Sequence, residues 1–429
     1  MIEVGCYVSE NEKIIKELKY NICLENEKCY NFTFWNRIRR FNSCPSLITI
    51  DLLYISLFVA GADKLISRDL AEDSWKRDIY LYIPVLYKDK WENNKDLLEK
   101  MLSFLSGDNW KISFREREIT LYENQQIERI KKHKKQKQHA QYVDTVAMFS
   151  GGLDSFIGLI DCLEENLNNT IFISHYGKGK GTIEYQEKLK EEILKKYLID
   201  EQMFYSFHAS IYGGKESTTR TRSFMFFSHA IAIASTYKNI RSLVVPENGF
   251  ISLNIPLTNS RIGSSSTRTT HPEYFGYFQQ LLYNLDINII IINPYQFMTK
   301  GEMILQCKNR SFLQENLINT MSCSHPDAGR HRGYKKTGHC GNCLPCIIRK
   351  AAILKGNLED TSDYYDMTGS TATINYNSYI RGIKKYNSEK AMFLIQKNGI
   401  IRYNIKEHTE IYKRGMEELK ELLIYERKI

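Results

Sequence analysis

The sequence predicts an α/β protein: a doubly wound parallel sheet, with an N-terminal α+β domain ahead of it and a mostly helical extension behind. Three observations predict it. From about residue 142 onward, short buried apolar runs alternate with amphipathic helical stretches, which is the pattern of successive βαβ units. The first of those runs passes through a Gly-Gly pair straight into a helix. Before residue 128, strand-like runs rich in aromatic and β-branched residues mix with helical ones without that regular alternation.

In order, residues 30–35 (YNFTFW) and 78–85 (DIYLYIPV) read as strands, with side chains alternating at period two. Residues 47–65 and 91–105 carry apolar positions at helical spacing, and residues 110–121 (WKISFREREITL) read as a strand or hairpin arm. These elements define a domain over 1–127, expected to dock a partner or grip substrate. Residues 128–141 (ERIKKHKKQKQHAQ) are dense in lysine and amides and read as a solvated basic linker rather than a nucleic-acid patch. Then come a buried strand at 145–149 (TVAMF), a helix at 155–165, a strand at 170–174 (TIFIS), a helix at 183–197 and a strand at 203–208. An apolar helix at 222–237, a strand at 242–245, a helix at 271–285 and a fully buried strand at 287–292 (INIIII) complete a domain over 142–355. Residues 356–429 read as helical, with one hairpin-like stretch at 391–405.

The 429 residues are 42% hydrophobic and 25% charged, enough apolar content for two or three packed domains and too much for chain-wide disorder. Lys and Arg exceed Asp and Glu by nine, a mild basic excess. Residues 1–9 lack a basic stretch followed by an apolar one, so no secretory signal is read there. The longest apolar stretch, 47–65, is interrupted by Asp51 and Asp63, which argues against a membrane span. The expectation is a cytoplasmic protein with reduced thiols, in which clustered cysteines mean metal or catalysis. Cys6, Cys23, Cys29 and Cys44 are irregularly spaced and read as core or surface thiols.

Two motifs carry chemistry. Ser150-Gly151-Gly152-Leu153-Asp154-Ser155 follows the first buried strand. Its glycines let the backbone turn tightly and aim N–H groups at an anion, the next helix adds its positive end, and two serines add hydroxyls. No G-x-x-x-x-G-K-[ST] is present. The second motif is Cys340-x-x-Cys343-x-x-Cys346, preceded by Cys323. Two overlapping knuckles converge three thiolates, and a fourth ligand closes a tetrahedral, structural zinc site. Cys323 is the expected fourth ligand, with His325, His331 and His339 as substitutes.

The hexapeptide after a strand resembles the signature of the PP-loop ATP pyrophosphatases, which implies an adenine nucleotide alpha hydrolase-like fold with ATP and magnesium as cofactors. In that family a substrate oxygen attacks the α-phosphate and pyrophosphate leaves. The resemblance implies ATP contacts at Phe149, Ser150, Gly151, Gly152, Leu153, Asp154 and Ser155, with Ser174 beside the adenine and Asp154 toward magnesium or the leaving group. Together with Cys340-Gly-x-Cys-x-x-Cys-x-x-Arg349, the pattern more narrowly resembles QueC, the 7-cyano-7-deazaguanine synthase family. That family adenylates the carboxylate of 7-carboxy-7-deazaguanine, forms the amide with ammonia and dehydrates it to a nitrile with a second ATP. Arg222 then joins the ATP site, and Lys300 stands at the family's active-site lysine, catalytic with Asp154 and Ser155. Tyr176, Glu247, Asn248 and Phe250 fall where the substrate pocket is built.

The chain departs from QueC around 246–271, where a Ser/Thr/Arg-rich run includes SSSTRTTHPEYF, in a basic loop at 324–339, and in having an N-terminal domain. That layout resembles the QueC-like proteins of bacterial antiphage systems, QatC of Qat operons and its type IV CBASS counterpart. For these the resemblance implies joining a carboxylated deazaguanine to an amine, a protein N-terminus of an operon-encoded acceptor. The alternatives are ammonia-dependent nitrile synthesis, an RNA-modifying PP-loop enzyme, and a zinc-stabilised nucleotide-binding scaffold.

Overall fold

The structure is a computed structural model and describes residues 1–12, 18–134, 142–165, 169–177, 180–217, 220–254, 257, 268–367 and 371–427. Residues 135–141, the end of the run expected to be a basic linker, and most of the Ser/Thr/Arg-rich run (258–267) therefore lie outside the described residues, while 128–134 are the last turns of a helix that begins at Leu121.

The N-terminal region carries β1 (Ile2–Tyr7), β2 (Tyr20–Cys23), β3 (Tyr30–Phe32), α1 (Leu47–Leu65), β4 (Asp78–Val85), α2 (Lys88–Asn93), α3 (Lys95–Ser106), β5 (Asn109–Glu116) and α4 (Leu121–Lys134). Strands β2-β1-β4-β5 form a four-stranded sheet in which every pairing is parallel. The expected α+β region is thus α/β. An alternating strand does not announce the direction of its partner, and it is the α2–α3 crossover that returns β5 parallel to β4 rather than as a hairpin arm.

The second region continues with β6 (Thr145–Met148), α5 (Leu153–Glu164), β7 (Thr170–Tyr176), α6 (Lys180–Tyr197), β8 (Phe204–Ile211), α7 (Arg222–Ala234), β9 (Ser242–Val244), α8 (Gly249–Ser252), α9 (Pro272–Asn284), β10 (Ile290–Ile292), α10 (Lys300–Gln306), α11 (Arg310–Glu315) and α12 (Leu344–Lys355). Its sheet runs β10-β9-β6-β7-β8-β3, parallel except for β3, which pairs antiparallel with β8. The chain winds outward from β6 through β7 and β8, then restarts on the other side with β9. The loop after β6 therefore sits at the switch point, where open α/β sheets bind ligands.

β3 is the surprise: it belongs to the N-terminal region by sequence and to the second sheet by hydrogen bonding. One continuous apolar core runs through both regions, from Val4 and Leu57 to Phe207 and Ile233. The seam is charged as well as apolar. Buried Asp63, near the end of α1, accepts from the backbone N–H groups of Arg220 (2.7 Å) and Thr221 (3.0 Å), just ahead of α7.

Two further expectations change. Residues 287–292 are not a fully buried strand: β10 is the sheet edge, with Ile290 60% exposed. Gln279 of α9 occupies that edge, donating to Ile289 O and accepting from Ile291 N. Residues 391–405 are not a hairpin, because Ala391–Asn398 forms a helix, α14, between α13 (Thr371–Lys384) and α15 (Ile405–Tyr425). Its buried Ala391 and Ile395 share a core with α15 and α12, a helical period that outweighs β propensity. Among the described residues no helix is long and apolar enough to cross a membrane.

Candidate functional site

The Ser150–Ser155 loop is organised by its own polar groups. Gly151 has φ +79°, a left-handed conformation that a side chain disfavours, and a Cβ there would meet Gln186 Cγ at 2.9 Å. Ser155 Oγ accepts from Ser150 N (3.2 Å), lies 3.0 Å from Ser150 Oγ and donates to Gly152 O (3.0 Å). Gly152 N donates to Ser150 Oγ (3.3 Å), and Gly152 occupies the N-cap position of α5. This tight ring presents backbone N–H groups and hydroxyls at the start of a helix, the arrangement that receives phosphate-like anions.

Behind the loop lies a buried charge cluster. Asp154 Oδ1 is 3.1 Å from Lys300 Nζ, and Asp154 Oδ2 accepts from Asn248 Nδ2 (2.7 Å) and Asn248 N (3.3 Å). Burial acts to raise the Asp154 pKa, but Lys300 and the hydrogen bonds of Glu247 and Asn248 hold it below the usual carboxylate range. Glu247 moves the other way, pushed well above its ordinary value by burial and then by the Asp154 charge. Glu247 keeps the proton and Asp154 keeps the charge. Lys300 opens α10, whose N-cap Thr299 forms a reciprocal capping box with Glu302.

The other residues expected at the site are distributed around this centre. Phe149 is buried at the end of β6, and Ser174 Oγ donates to Tyr205 O (3.3 Å). Arg222, at the start of α7, lies over the Phe226 ring at 5.2 Å and is exposed. Tyr176 stacks on His208, 5.2 Å between centroids. Phe250 is brought elsewhere: its buried ring stacks on Tyr412 of α15 at 6.0 Å, so it packs the C-terminal helix rather than lining an open pocket.

The four cysteines converge. The sulfurs of Cys323, Cys340, Cys343 and Cys346 all lie within 4.8 Å of one another, with Cys323–Cys343 at 3.9 Å and Cys340–Cys346 at 4.0 Å. A tetrahedral zinc with ~2.3 Å bonds to sulfur places its ligand sulfurs about 3.8 Å apart, so the set fits such an ion. Backbone N–H groups of His325 and Cys340 point at Cys323 Sγ, and Cys343 N points at Cys340 Sγ, as expected around thiolates. Gly341 turns the knuckle at φ +71°. Cys323 takes the fourth place: His339 Nε2 instead accepts from Ser322 N (3.3 Å).

This cluster is tied to the loop. Met321 N donates to Gly151 O (2.8 Å), and Ser322 Oγ lies 3.5 Å from Leu153 N. Buried Arg349, on α12 beside the cysteines, holds the same segment through Thr320 Oγ1 (2.7 Å) and Leu317 O (2.9 Å). The knuckle thus buttresses the Ser150–Ser155 loop. Ser322 and Gln186 carry no sequence signal of their contacts with the loop, because each matters only through a contact made in the fold.

These features define an α/β protein with a glycine-turned loop opening a helix at a sheet switch point and a four-cysteine cluster that can hold a metal ion such as zinc. The chain is similar to the 7-cyano-7-deazaguanine synthase of Rickettsia felis, 24% identical over 235 residues, which span 51% of this chain and 98% of that protein. It is likewise similar to the synthase of the same name from Rickettsia prowazekii, 26% identical over 238 residues with the same coverage. No protein-family model matches the chain.

Proposed function

We propose that this chain is an ATP-dependent, AMP- and pyrophosphate-forming carbon–nitrogen ligase of the QueC-like kind. The observation that carries the reading is the buried Asp154–Lys300 pair directly behind the Ser150–Ser155 loop. In this reading the loop grips the β,γ-phosphates and Lys300 offsets charge growing at the α-phosphorus. A carboxylate oxygen of a 7-carboxy-7-deazaguanine-like acid attacks that phosphorus, the bond to the bridging oxygen breaks, and pyrophosphate leaves. An amine nitrogen then attacks the acyl carbon, AMP leaves with the bonding pair, and the amine loses a proton. Magnesium, when bound, neutralises phosphate charge, and Asp154 is the residue that would bear on it. Zinc at the four thiolates has no open position and serves the fold.

The deazaguanine class is supported by the similarity to the two 7-cyano-7-deazaguanine synthases, which extends over about half of this chain. The amine we assign to a protein N-terminus, in an antiphage setting. Support comes from the two flanking regions, which pack onto the catalytic stretch through Asp63 and through α15, as a macromolecular acceptor would require. The test is to incubate the protein with ATP and 7-carboxy-7-deazaguanine, with ammonium or an operon-encoded partner. AMP, pyrophosphate and a mass increment on the partner are expected. ADP and phosphate would overturn the α-phosphate chemistry, and nitrile from ammonium alone would overturn the protein acceptor.

A further inference from the structure

Asp154 lies in the first turn of α5 and Lys300 in the first turn of α10, so the pair is only as well placed as two separate helices are. The C-terminal helix α15 bears on both of its sides. On the Asp154 side the link is Asn248, fully buried at the N-cap of the short helix α8. Its Nδ2 donates to Asp154 Oδ2 (2.7 Å) while its Oδ1 accepts from Ile251 N (2.9 Å), so one side chain ties the carboxylate to the start of α8. Phe250, two residues along, is stacked on Tyr412 of α15 with ring planes 18° apart. The α15 backbone lies so close to that ring that a Cβ on Gly415 would collide with it.

On the Lys300 side the same helix makes polar contacts. Glu418 accepts from the hydroxyl of Thr299, the N-cap of α10, and a Cβ on Gly301 would run into the Glu418 carboxylate. Arg414 Nε pairs with Glu302 Oε1 (2.6 Å), the other half of the capping box, and its Nη2 donates to Phe297 O (2.8 Å). Residues 411, 415 and 418 recur at the i, i+4, i+7 spacing that places them on one helical face. That face carries Ile411 against Gly249, Gly415 against Phe250 and Glu418 against Gly301. Lys300 is itself buried, so close packing limits how far its side chain can follow a displaced α10. A shift of either helix therefore falls on the 3.1 Å gap between Lys300 Nζ and Asp154 Oδ1.

We infer that Tyr412 and Glu418 of α15 are positioning residues for the adenylation step, the first acting through Phe250 and Asn248 on Asp154, the second through the start of α10 on Lys300. The inference rests on the ligase reading and adds to it that the C-terminal extension belongs to the catalytic apparatus. Both residues act through another group. Their loss should therefore be felt where Lys300 meets charge growing at the α-phosphorus, and little in ground-state ATP binding, which the loop supplies.

The full-length protein is assayed for exchange of pyrophosphate into ATP dependent on 7-carboxy-7-deazaguanine, a readout of adenylation that needs no amine. Tyr412→Ala and Glu418→Ala are compared with Leu423→Ala, which removes a side chain buried further along α15 in the same core. Urea midpoints are measured for all three. The first two should lower kcat by about tenfold or more and leave KM for ATP within about twofold of wild type. Leu423→Ala should lower the urea midpoint and keep the wild-type kcat. Tyr412→Phe and Glu418→Gln, which retain the ring and the acceptor oxygen, should recover most of the lost rate. Should Tyr412→Ala fail to fold, Tyr412→Leu keeps apolar bulk without the flat ring and takes its place. A kcat that tracks the urea midpoint in all variants, Leu423→Ala included, overturns this inference alone, as does a rise in KM with kcat unchanged. No exchange by the wild type overturns the ligase reading and this inference with it.

Discussion

Among the described residues, two of the buried charge clusters are built to opposite rules. At the seam between the regions, Asp63, Asp108 and Glu216 lie against Arg68, Arg77 and Arg220, three carboxylates among three guanidinia. Arg68 and Arg77 both fork onto Asp108 at 2.6–3.1 Å, and Arg77 also donates to Asp63 Oδ1 and to the carbonyls of Asp63 and Ile66. Burial acts to raise the Asp108 pKa, but Arg77 and Arg68 hold it below the usual carboxylate range. Behind the loop, two carboxyl groups share one ammonium, and the surplus is absorbed by the proton on Glu247. A closed set of charges fixes structure. A set with one group held off its ordinary ionisation can change protonation when a neighbouring charge changes.

The four cysteines extend the comparison, since they form a cluster closed only by an ion. Stripping the metal with a chelator, or Cys343→Ser, should have the largest effect on folding. Zinc in such sites contributes on the order of 10 kcal/mol, and loss of the knuckle should also loosen the loop through Met321 and Ser322. Metal analysis with thermal melting checks it, and an unchanged melting temperature in a metal-free protein would remove the metal role. Asp63→Ala comes next, at about 2–4 kcal/mol, because it strands the buried N–H groups of Arg220 and Thr221 and takes one of two carboxylates from Arg77, which Asp108 still pairs. Urea midpoints within experimental error of wild type would show that the seam cluster is dispensable. Asp154→Asn should behave differently. Glu247 can release its proton and become the counter-ion of Lys300, so stability should stay close to wild type while AMP formation falls by roughly 10²–10³-fold. A variant that unfolds instead would make the two clusters alike and erase the distinction.

The legible part of this protein was what repeats or what spacing encodes. Helix α1 and strand β4 match their expected limits, because nineteen residues of helical apolar spacing and eight of strict alternation leave little choice. The loop and the cysteines were legible because their chemistry needs particular residues at short separations. The illegible part is what depends on partners distant in sequence. Nothing in YNFTFW marks β3 as the edge of the other sheet, and INIIII looks buried although the strand order leaves it at a rim. Gln186 is an ordinary polar residue until the fold bonds its amide to Ser150 O. The same holds for Glu418, far down the C-terminal helix.

Glu418 makes the smallest of the tests and the most selective. It is buried at 6% exposure on α15, accepts the hydroxyl proton of Thr299, and sits against Gly301, where an added Cβ would come within 2.6 Å of its carboxylate. It therefore supports the first turn of α10, the turn that presents Lys300. The charged groups around it are Glu302 on α10, itself paired with Arg414, and Lys355 on α12. Burial pushes the Glu418 pKa up to about 7, and Glu302 adds to the rise. The hydrogen bonds from Thr299 and Gly301 and the charge of Lys355 oppose it. The folded pKa lies above the unfolded one, so the folded state binds the extra proton. That contribution is full below about pH 4.3 and is lost as pH rises through about 7, a decline of roughly 1–3 kcal/mol. Glu418→Gln keeps the shape and removes the titration. Its stability relative to wild type should therefore increase steadily between pH 5 and pH 8. Urea midpoints measured across that range decide it: parallel curves for the two proteins would mean that Glu418 is no longer the buried acid beside α10.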